Sequence, residues 1–409
     1  RPLLSESLRE GSRSSGSRGA RKARRALVIG EVALCTALLA GAGLLMKSLI
    51  ELWRVDAGFQ RDAVLTAHLS LPEGRYGEEG TRKAFFRRLS DRLRSIPGVE
   101  AAGANRYFPL RDRQYSNPIF VEGAPVPEGQ EPVVQYGAVT TGYFEAMGIP
   151  IVEGRGFTEG EIWETGGVVL VNRSMARRLW PGRSPLGLRI KHGADAPWLT
   201  IVGVAGDVRQ RGLDQEPYPQ IYVPFADYEH ADMTLALRTR RDPKELVEPL
   251  RREIRALDPG LPLSDVMTLE EAMSRSVSAR RLVAFLLAAF SGLSLVLAVG
   301  GVYATLAYSI SRRVRELGLR LAMGARPSDL VALVSREGMG MVGVGLALGA
   351  VGALAAGWLV RGQLFGVSPL DVPTLAATVV LLLTLSLAGC LVPAGRAARL
   401  DPLVALREE

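Results

Sequence analysis

The sequence is poor in the residues that most often bind metals or form covalent cross-links. Its 409 residues include 2 cysteines and 3 histidines. Cys35 and Cys390 each lie inside a long apolar run, where a thiol packs as a small apolar side chain. The polar stretch between these runs contains no cysteine, which excludes disulfides and cysteine-ligated zinc from it. We therefore expect no metal site and no cofactor.

The sequence also lacks the motif of a nucleotide hydrolase. No Gly-x-x-x-x-Gly-Lys-Ser/Thr occurs in the 409 residues. Asp207 and His230 could be an acid/base pair, but no nucleophile motif accompanies them, and we interpret both as turn residues. We expect that the chain is not an enzyme. A membrane enzyme with an outer catalytic domain stays an alternative, which a fixed acid/base pair in a cleft would favour.

The net charge of +8 is compatible with binding to nucleic acid or to an anionic membrane surface. Much of the excess, however, sits beside apolar runs, as in residues 18–25 and 312–326. Membrane topology explains this placement better than a nucleic-acid face does, because Lys and Arg concentrate in the cytoplasmic loops of membrane proteins. We expect membrane lipid, and no nucleic acid, as a partner.

Four apolar runs are long enough to cross a membrane as helices. The short segments on one side of these runs carry far more Lys and Arg than the short loop on the other side, which places the basic side in the cytoplasm. The long polar region after the first run then lies outside. The predicted layout is a flexible basic cytoplasmic segment (1–25), a first span (26–46), a periplasmic domain (47–280), a second span (281–310), a cytoplasmic coupling segment (311–335), a third span (336–360), a short outer loop (361–371), a fourth span (372–395) and a cytoplasmic tail (396–409).

The outer region alternates short strands with amphipathic helices, a pattern typical of an α/β domain. A strand–helix–strand unit near its start recurs near its end, which favours a split ferredoxin-like layer. Between the two units the sequence is rich in Gly and Pro and predicts an inserted subdomain. The predicted layer covers about 60–115 and 201–270, with strands at 64–71, 99–105, 233–239 and 263–267 and helices at 81–96 and 243–256, and the inserted subdomain covers about 116–200.

Small residues at helical spacing predict close helix packing in the membrane. Ala37 and Gly41 belong to such a stripe in the first span, and Gly345 and Gly349 form a Gly-x-x-x-Gly pair in the third. The pattern leaves open whether the third span packs within its own bundle or against another subunit.

Glu31 is the one charged residue inside the first span. It could be a buried polar contact or an ion site. We favour the interpretation that its carboxylate lies within about two turns of the interface and reaches water, Arg25 or a neighbouring helix.

The basic loop and several outer stretches resemble the FtsX-like and MacB-like ABC transporter permeases. In residues 315–325 the loop reads Arg-Glu-Leu-Gly-Leu-Arg-Leu-Ala-Met-Gly-Ala, similar to the coupling segment of that family. Residues 1–59 are similar to the join into the C-terminal half of duplicated permeases of acidobacterial type. Other stretches that carry the resemblance are 139–150, 154–157, 169–182, 201–208 and 396–406.

The resemblance implies a permease or mechanotransmission subunit that works beside a separate cytoplasmic ABC ATPase in the bacterial inner membrane. ATP hydrolysis would then move the periplasmic domain, for efflux or for control of periplasmic partners. A second permease half or a homodimer, and a periplasmic partner, are further implied. The alternative is a membrane-anchored signalling or scaffold protein without an ATPase. The residues implied at the ATPase contact are Arg313, Arg315, Glu316, Gly318, Arg320 and Gly324.

Overall fold

The structure, a computed structural model, describes the backbone of residues 3–397 except 79, 112–114, 125, 128 and 194. Side chains are described from Lys22 to Arg396 with the same gaps. The stretch 396–406, which contributes to the family resemblance, therefore lies almost wholly outside the described residues. The described chain divides into two compact units: an outer unit, Arg54–Ser278, and a membrane unit formed by the residues before and after it.

Helices and strands are numbered in chain order. The helices are α1 (Leu3–Arg54), α2 (Glu73–Tyr76), α3 (Thr81–Ser95), α4 (Tyr143–Met147), α5 (Glu159–Trp163), α6 (Arg173–Leu179), α7 (Val247–Leu257), α8 (Leu269–Ser276), α9 (Ser278–Ser311), α10 (Val314–Ala322), α11 (Pro327–Leu359) and α12 (Val372–Ala397). The strands are β1 (Val64–Ser70), β2 (Val99–Asn105), β3 (Ser116–Pro118), β4 (Phe120–Val121), β5 (Val133–Val139), β6 (Ile151–Gly154), β7 (Val168–Asn172), β8 (Arg189–Lys191), β9 (Leu199–Ala205), β10 (Gln220–Pro224), β11 (Asp232–Thr239) and β12 (Leu263–Thr268).

Helices α1, α9, α11 and α12 form the membrane unit. Each contains a stretch that is long and apolar enough to cross a membrane. The prediction of four spans, with a mixed α/β domain between the first and the second, is confirmed. The stretches are Lys22–Arg54, Ser278–Ser311, Pro327–Leu359 and Val372–Arg396.

Two helices extend beyond the predicted boundaries. The structure has α1 beginning at Leu3, so residues 3–25, predicted as flexible, are helical. Extending a helix that already exists adds one hydrogen bond per residue and needs no new nucleus. The predicted short helix of residues 327–335 and the third span are likewise one helix, α11. Arg336 and Glu337 both favour helix, and no proline separates the two parts.

The Gly-x-x-x-Gly pair of α11 packs against α1 inside the membrane unit. A Cβ atom added to Gly345 would lie 2.7 Å from the Cβ of Val32, and one added to Gly349 would lie 2.4 Å from the Cβ of Thr36. The added atom at Gly349 would also lie 2.6 Å from the carbonyl oxygen of Ala33. Of the two arrangements that the sequence left open, the structure therefore shows packing within the bundle.

The small-residue stripe of α1 meets two helices. Ala37 faces Gly352 of α11, where an added Cβ would lie 3.6 Å from the Ala37 Cβ. Gly41 faces α9, where the Cδ2 atom of Leu287 lies 3.2 Å from the position of an added Cβ. Small side chains let three helices approach one another along this part of α1.

Glu31 also faces α9, at Gly301. Its Oε2 atom is buried without a hydrogen-bond partner among the described residues, and an added Cβ at Gly301 would lie 2.5 Å from it. The contact with a neighbouring helix is present, but Arg25 does not pair with this carboxylate; Arg25 pairs with Glu337 of α11. The reason is geometric, since residues six positions apart lie on different faces of a helix.

In the outer unit, twelve strands of the described chain form one sheet, and its first part has ferredoxin-like topology. Strands β12, β1, β11 and β2 lie side by side in that order, all antiparallel. Helix α3 connects β1 to β2, and α7 lies between β11 and β12 in the chain. Phe85, Leu89 and Leu93, spaced four apart, are buried on α3, as its amphipathic pattern predicts.

The second part of the sheet is mixed. Strands β5 and β10 are parallel, β7 and β9 are parallel, and β10 joins the two pairs by antiparallel pairing with β7. Strands β9 and β10 therefore belong with the inserted region, not with the ferredoxin-like layer predicted to include residues 201–270. The apolar alternation of β9 is the same for either set of neighbours, so the sequence did not distinguish them.

The two parts of the sheet meet at a narrow junction. Strand β2 pairs with β5 through Asn105 and Val139. Thr140 reinforces the junction, because its hydroxyl accepts a hydrogen bond from the backbone N–H of Ala104 at 2.7 Å. Gly103 admits α4 at this point, since an added Cβ would lie 2.3 Å from the backbone nitrogen of Tyr143.

The α1–α11 packing gives a first prediction. Gly349→Ala should lower the free energy of unfolding by about 1–3 kcal/mol, because the new methyl group overlaps the backbone oxygen of Ala33 and must displace a helix. Gly343→Ala on the same helix is the matched control, since apart from its own helix backbone no described atom lies within 4 Å of its added Cβ. The midpoint of unfolding by sodium dodecyl sulfate measures both. Equal midpoints for the two variants would contradict the packing.

Candidate functional site

The segment between α9 and α11 is a short helix with a break on each side. Arg313 precedes α10 with φ −118° and ψ 17°, outside helical geometry. After α10, Gly324 adopts φ +95°, and its N–H donates to the carbonyl oxygen of Leu321. The N–H of Ala325 donates to the carbonyl oxygen of Arg320, which completes a Schellman motif. Gly324 therefore ends α10, because a left-handed residue at this position favours glycine.

One face of α10 anchors it to the membrane unit. Leu317 and Gly318 are buried. Leu317 packs with Leu330 of α11, and Ile310 and Leu321 contact the same cluster. The anchor uses four side chains from three consecutive helices, so α10 is held between the end of α9 and the start of α11.

The other face of α10 carries both charge and apolar surface. Arg315, Glu316 and Arg320 are exposed. Leu319 is 50% exposed and Met323 is 73% exposed. An exposed leucine on a nine-residue helix and an exposed methionine directly after it, both beside arginines, are typical of a surface that a partner covers.

The charges on this face are partly neutralised within the helix. The Nη2 atom of Arg320 lies 2.8 Å from the Oε1 atom of Glu316, one turn away. The Nε atom of Arg313 lies 3.9 Å from the other oxygen of Glu316. Within the described part of the chain no ion pair involves Arg315, so its guanidinium is available to a partner.

Glu337 of α11 connects this segment to α1. Its carboxylate pairs with Arg25, and its Oε2 atom lies 3.5 Å from the Nη1 atom of Arg313. Arg25 and Arg313 thus meet at this acid. We call the end of the membrane unit that carries Arg25, Arg313 and Arg396 its basic end. Sequence reasoning missed Glu337. The sequence did contain a signal for it. Glu337 is a single acid at the start of an apolar run, and basic residues flank two other apolar runs at the same side of the membrane.

The structure brings together most of the residues predicted at the contact. Arg313, Arg315, Glu316 and Arg320 lie on or beside the exposed face of α10, whereas Gly318 is buried and Gly324 forms the turn. The two glycines therefore shape the segment, and the four charged residues form its accessible surface.

Asp207 and His230 occupy separate structural roles in the outer unit. The carboxylate of Asp207 accepts a hydrogen bond from the backbone N–H of Ser174 at 2.7 Å, at the start of α6. His230 packs against the rings of Tyr107 and Tyr228. Asp207 thus acts as a helix cap. Among the described residues no group of three or more potential ligands could hold a metal ion.

Comparison with known proteins identifies two family models along the chain. Residues 26–257 match the MacB-like periplasmic core domain, and residues 288–402 match the FtsX-like permease C-terminal domain. Together they cover the first span, most of the outer unit and of the second span, the basic loop and the last two spans.

The sequence identity to individual relatives is low. The macrolide export ATP-binding/permease protein MacB 1/2 of Paracoccus denitrificans is 26% identical over 286 residues, which are 68% of this chain and 42% of that protein. The uncharacterized ABC transporter permease YknZ of Bacillus subtilis is 24% identical over 293 residues, which are 66% of this chain and 69% of that protein. The chain thus spans less than half the length of the MacB relative.

Solved structures of outer domains are also similar. The periplasmic region of MacB from Actinobacillus actinomycetemcomitans is 13% identical with a TM-score of 0.37, and the match covers 54% of this chain and 94% of that one. The extracellular domain of YknZ from Gram-positive bacteria is 15% identical with a TM-score of 0.33, covering 49% of this chain and 100% of that one.

The contacts of Glu337 give a second prediction. Glu337→Gln should lower the free energy of unfolding by about 1–3 kcal/mol, because it leaves Arg25 and Arg313 without their carboxylate in a half-buried position. Glu316→Gln is the control, since its exposed pair with Arg320 contributes less than about 1 kcal/mol. Unfolding by sodium dodecyl sulfate measures both variants, and a larger loss for Glu316→Gln would contradict the assignment.

The environment of His230 gives a third prediction. Burial, and secondly the charge of Arg106, lower the pKa of His230 to about 4. Its unfolded pKa is near 6.5, so the unfolded state binds more protons between these values, and stability should fall as pH falls from about 6.5 to about 4. The expected loss is on the order of 2–3 kcal/mol. Urea midpoints from tryptophan fluorescence should decline less steeply for His230→Gln than for the natural chain; parallel declines would refute the role of His230.

Proposed function

The chain belongs to the family of FtsX-like and MacB-like ABC transporter permeases, and from this premise we propose that α10 is its docking site for a separate cytoplasmic ATPase. ATP hydrolysis by that subunit would move α10, and the membrane helices would carry the motion to the periplasmic unit. The chain would act as a permease or mechanotransmission subunit in the bacterial inner membrane, for efflux or for control of periplasmic partners.

The observation that carries this proposal is the two-sided character of α10. Leu317 anchors the helix, while Leu319 and Met323 stay exposed beside the charged residues. Arginine and methionine are enriched in the buried centres of protein interfaces, where lysine and glutamate are depleted. A loop whose only task was to fix topology would need positive charge, and it would not need an apolar exposed face.

The same contacts provide a route for force. Arg313 and Glu337 tie the start of α10 to α11, and Arg25 ties α1 to the same carboxylate. Helix α11 is unbroken from Pro327 to Leu359, so a displacement at its start moves the whole helix. Helices α1 and α9 are continuous in the chain with the two ends of the outer unit, Arg54 and Ser278. Coupled movement of these helices would therefore reach that unit through covalent bonds.

The name of one relative supports ATP hydrolysis as the energy source. The substrates in the relatives' names are not assigned to this chain. The Paracoccus denitrificans relative combines ATP-binding and permease functions by name, whereas the 409 residues here contain no P-loop motif. A second permease half or a second copy would complete the complex, and a periplasmic partner would bind the outer unit. The alternative is a membrane-anchored scaffold without an ATPase.

Charge reversal on α10 tests the docking site. The chain is co-expressed with a candidate ABC ATPase subunit from the same genome, and co-elution is measured for the natural chain, Arg320→Glu and Glu316→Lys. Each single variant should lose co-elution and ATPase-dependent function. Folding should be retained, because an exposed pair one turn apart contributes only about 0.3–0.5 kcal/mol.

The double variant, Arg320→Glu with Glu316→Lys, is the matched control. It restores an ion pair within α10 but reverses its direction on the exposed face. If docking depends on the position of each charge, the double variant folds normally and still fails to co-elute. Recovery of co-elution would show that only the pair within the helix matters. No co-elution of the natural chain would favour the scaffold alternative.

A further inference from the structure

The basic end carries two pairs of adjacent arginines, and in each pair one arginine contacts an acid and the other contacts an aromatic ring. Arg25 of α1 and Arg313 after α9 both turn to the carboxylate of Glu337. Their neighbours Arg24 and Arg312 both turn to the ring of Tyr308. The Cζ atom of Arg24 lies 4.2 Å from the centre of that ring, and the Cζ atom of Arg312 lies 5.9 Å from it.

The charges of Arg24 and Arg312 are not neutralised by any carboxylate among the residues with described side chains. An aromatic face attracts a cation, but it carries no net charge. Two guanidinium groups that converge on one ring therefore repel each other and leave a local charge of two positive units. Both side chains are exposed, and Tyr308 is 46% exposed, so an anion from outside the protein can reach them.

The limits of two candidate spans place this cluster at the depth of the lipid headgroups. The apolar stretch of α1 that could cross a membrane begins at Lys22, and that of α9 ends at Ser311. Arg24 and Arg312 thus stand at the same end of two spans. A tyrosine near that end is typical of the membrane interface, where its ring packs among lipids and its hydroxyl stays polar.

An apolar surface continues from the cluster into the membrane. Leu27 follows Arg24 by three residues, hence on the same side of α1, and is 62% exposed. Further along α1, away from the cluster, Val28 and Glu31 contact Gly301, so α1 and α9 are in contact there. An acyl chain would therefore lie over Leu27 on the outside of the bundle.

We propose that Arg24, Arg312 and Tyr308 form a binding site for the phosphate headgroup of an anionic lipid. The two guanidinium groups bind the phosphate oxygens, the phenol hydroxyl donates a further hydrogen bond, and an acyl chain packs on Leu27. Because Arg312 directly precedes Arg313, a lipid bound here also contacts the start of the loop that leads to α10. This site is independent of any ATPase.

The test uses the purified full chain and native mass spectrometry. Phosphatidylglycerol and phosphatidylcholine with identical acyl chains are titrated separately. The natural chain should prefer phosphatidylglycerol. Each of Arg24→Gln and Arg312→Gln should weaken that binding about fivefold, and the double variant about 25-fold, since one arginine at a membrane surface contributes about 1 kcal/mol.

Arg361→Gln is the matched control. The guanidinium of Arg361 lies 5.3 Å from the ring of Trp358, so it is also an exposed arginine on an aromatic ring, but it is a single one and lies at the other end of α11. This variant should bind phosphatidylglycerol as the natural chain does. Arg24→Lys with Arg312→Lys should retain most of the preference, because the charge is kept. Thermal unfolding in phosphatidylcholine checks that every variant is folded.

Three results would overturn the proposal. They are equal binding of the two lipids by the natural chain, equal loss in Arg361→Gln and in the double variant, and retention of phosphatidylglycerol by a folded double variant. Inorganic phosphate distinguishes the source of the anion. If millimolar phosphate displaces the lipid and binds with the same dependence on Arg24 and Arg312, the site is one for soluble phosphate and the assignment to lipid is wrong.

Discussion

A single carboxylate, that of Glu337, holds the basic end of the membrane unit together. It lies between two guanidinium groups from different parts of the chain, Arg25 and Arg313. Without it these arginines would repel each other at a half-buried position, and α1 would have no polar link to the loop before α10. The position of α10 thus depends on an acid that lies outside it.

Close approach of α1 and α11 is the geometric condition for that contact. Gly345 and Gly349 let the backbone of α1 come within reach of α11, since any side chain there would overlap Val32 or Thr36. Arg25 precedes Val32 by seven residues, or two turns, and so lies on the same side of α1. The glycines in the apolar part of the bundle and the ion pair at its end therefore specify one arrangement of the two helices.

Local patterns predicted the elements well. The predicted strand at 99–105 coincides with β2, and the helix predicted at 81–96 ends one residue earlier in the structure. The placement of β9, the partner of Gly349 and the role of Glu337 depend on contacts between distant residues, about which periodicity says nothing. A Gly-x-x-x-Gly pair predicts that another helix packs closely against this one, but it does not predict which helix. For the coupling segment the sequence predicted the exposed charges, and the structure added the separation of Gly318 and Gly324 from them.

The composition of the exposed face of α10 limits what the charges can do. Glu316 and Arg320 neutralise each other, so their net attraction for a charged partner is small, and their main effect is to fix orientation. Affinity then has to come from Leu319 and Met323, with Arg315 as the one cation of the face that no described carboxylate neutralises. The tendency of Lys and Arg to stay on the cytoplasmic side explains the number of arginines in this loop, and the proposed docking surface would explain why an acid and two large apolar side chains lie among them.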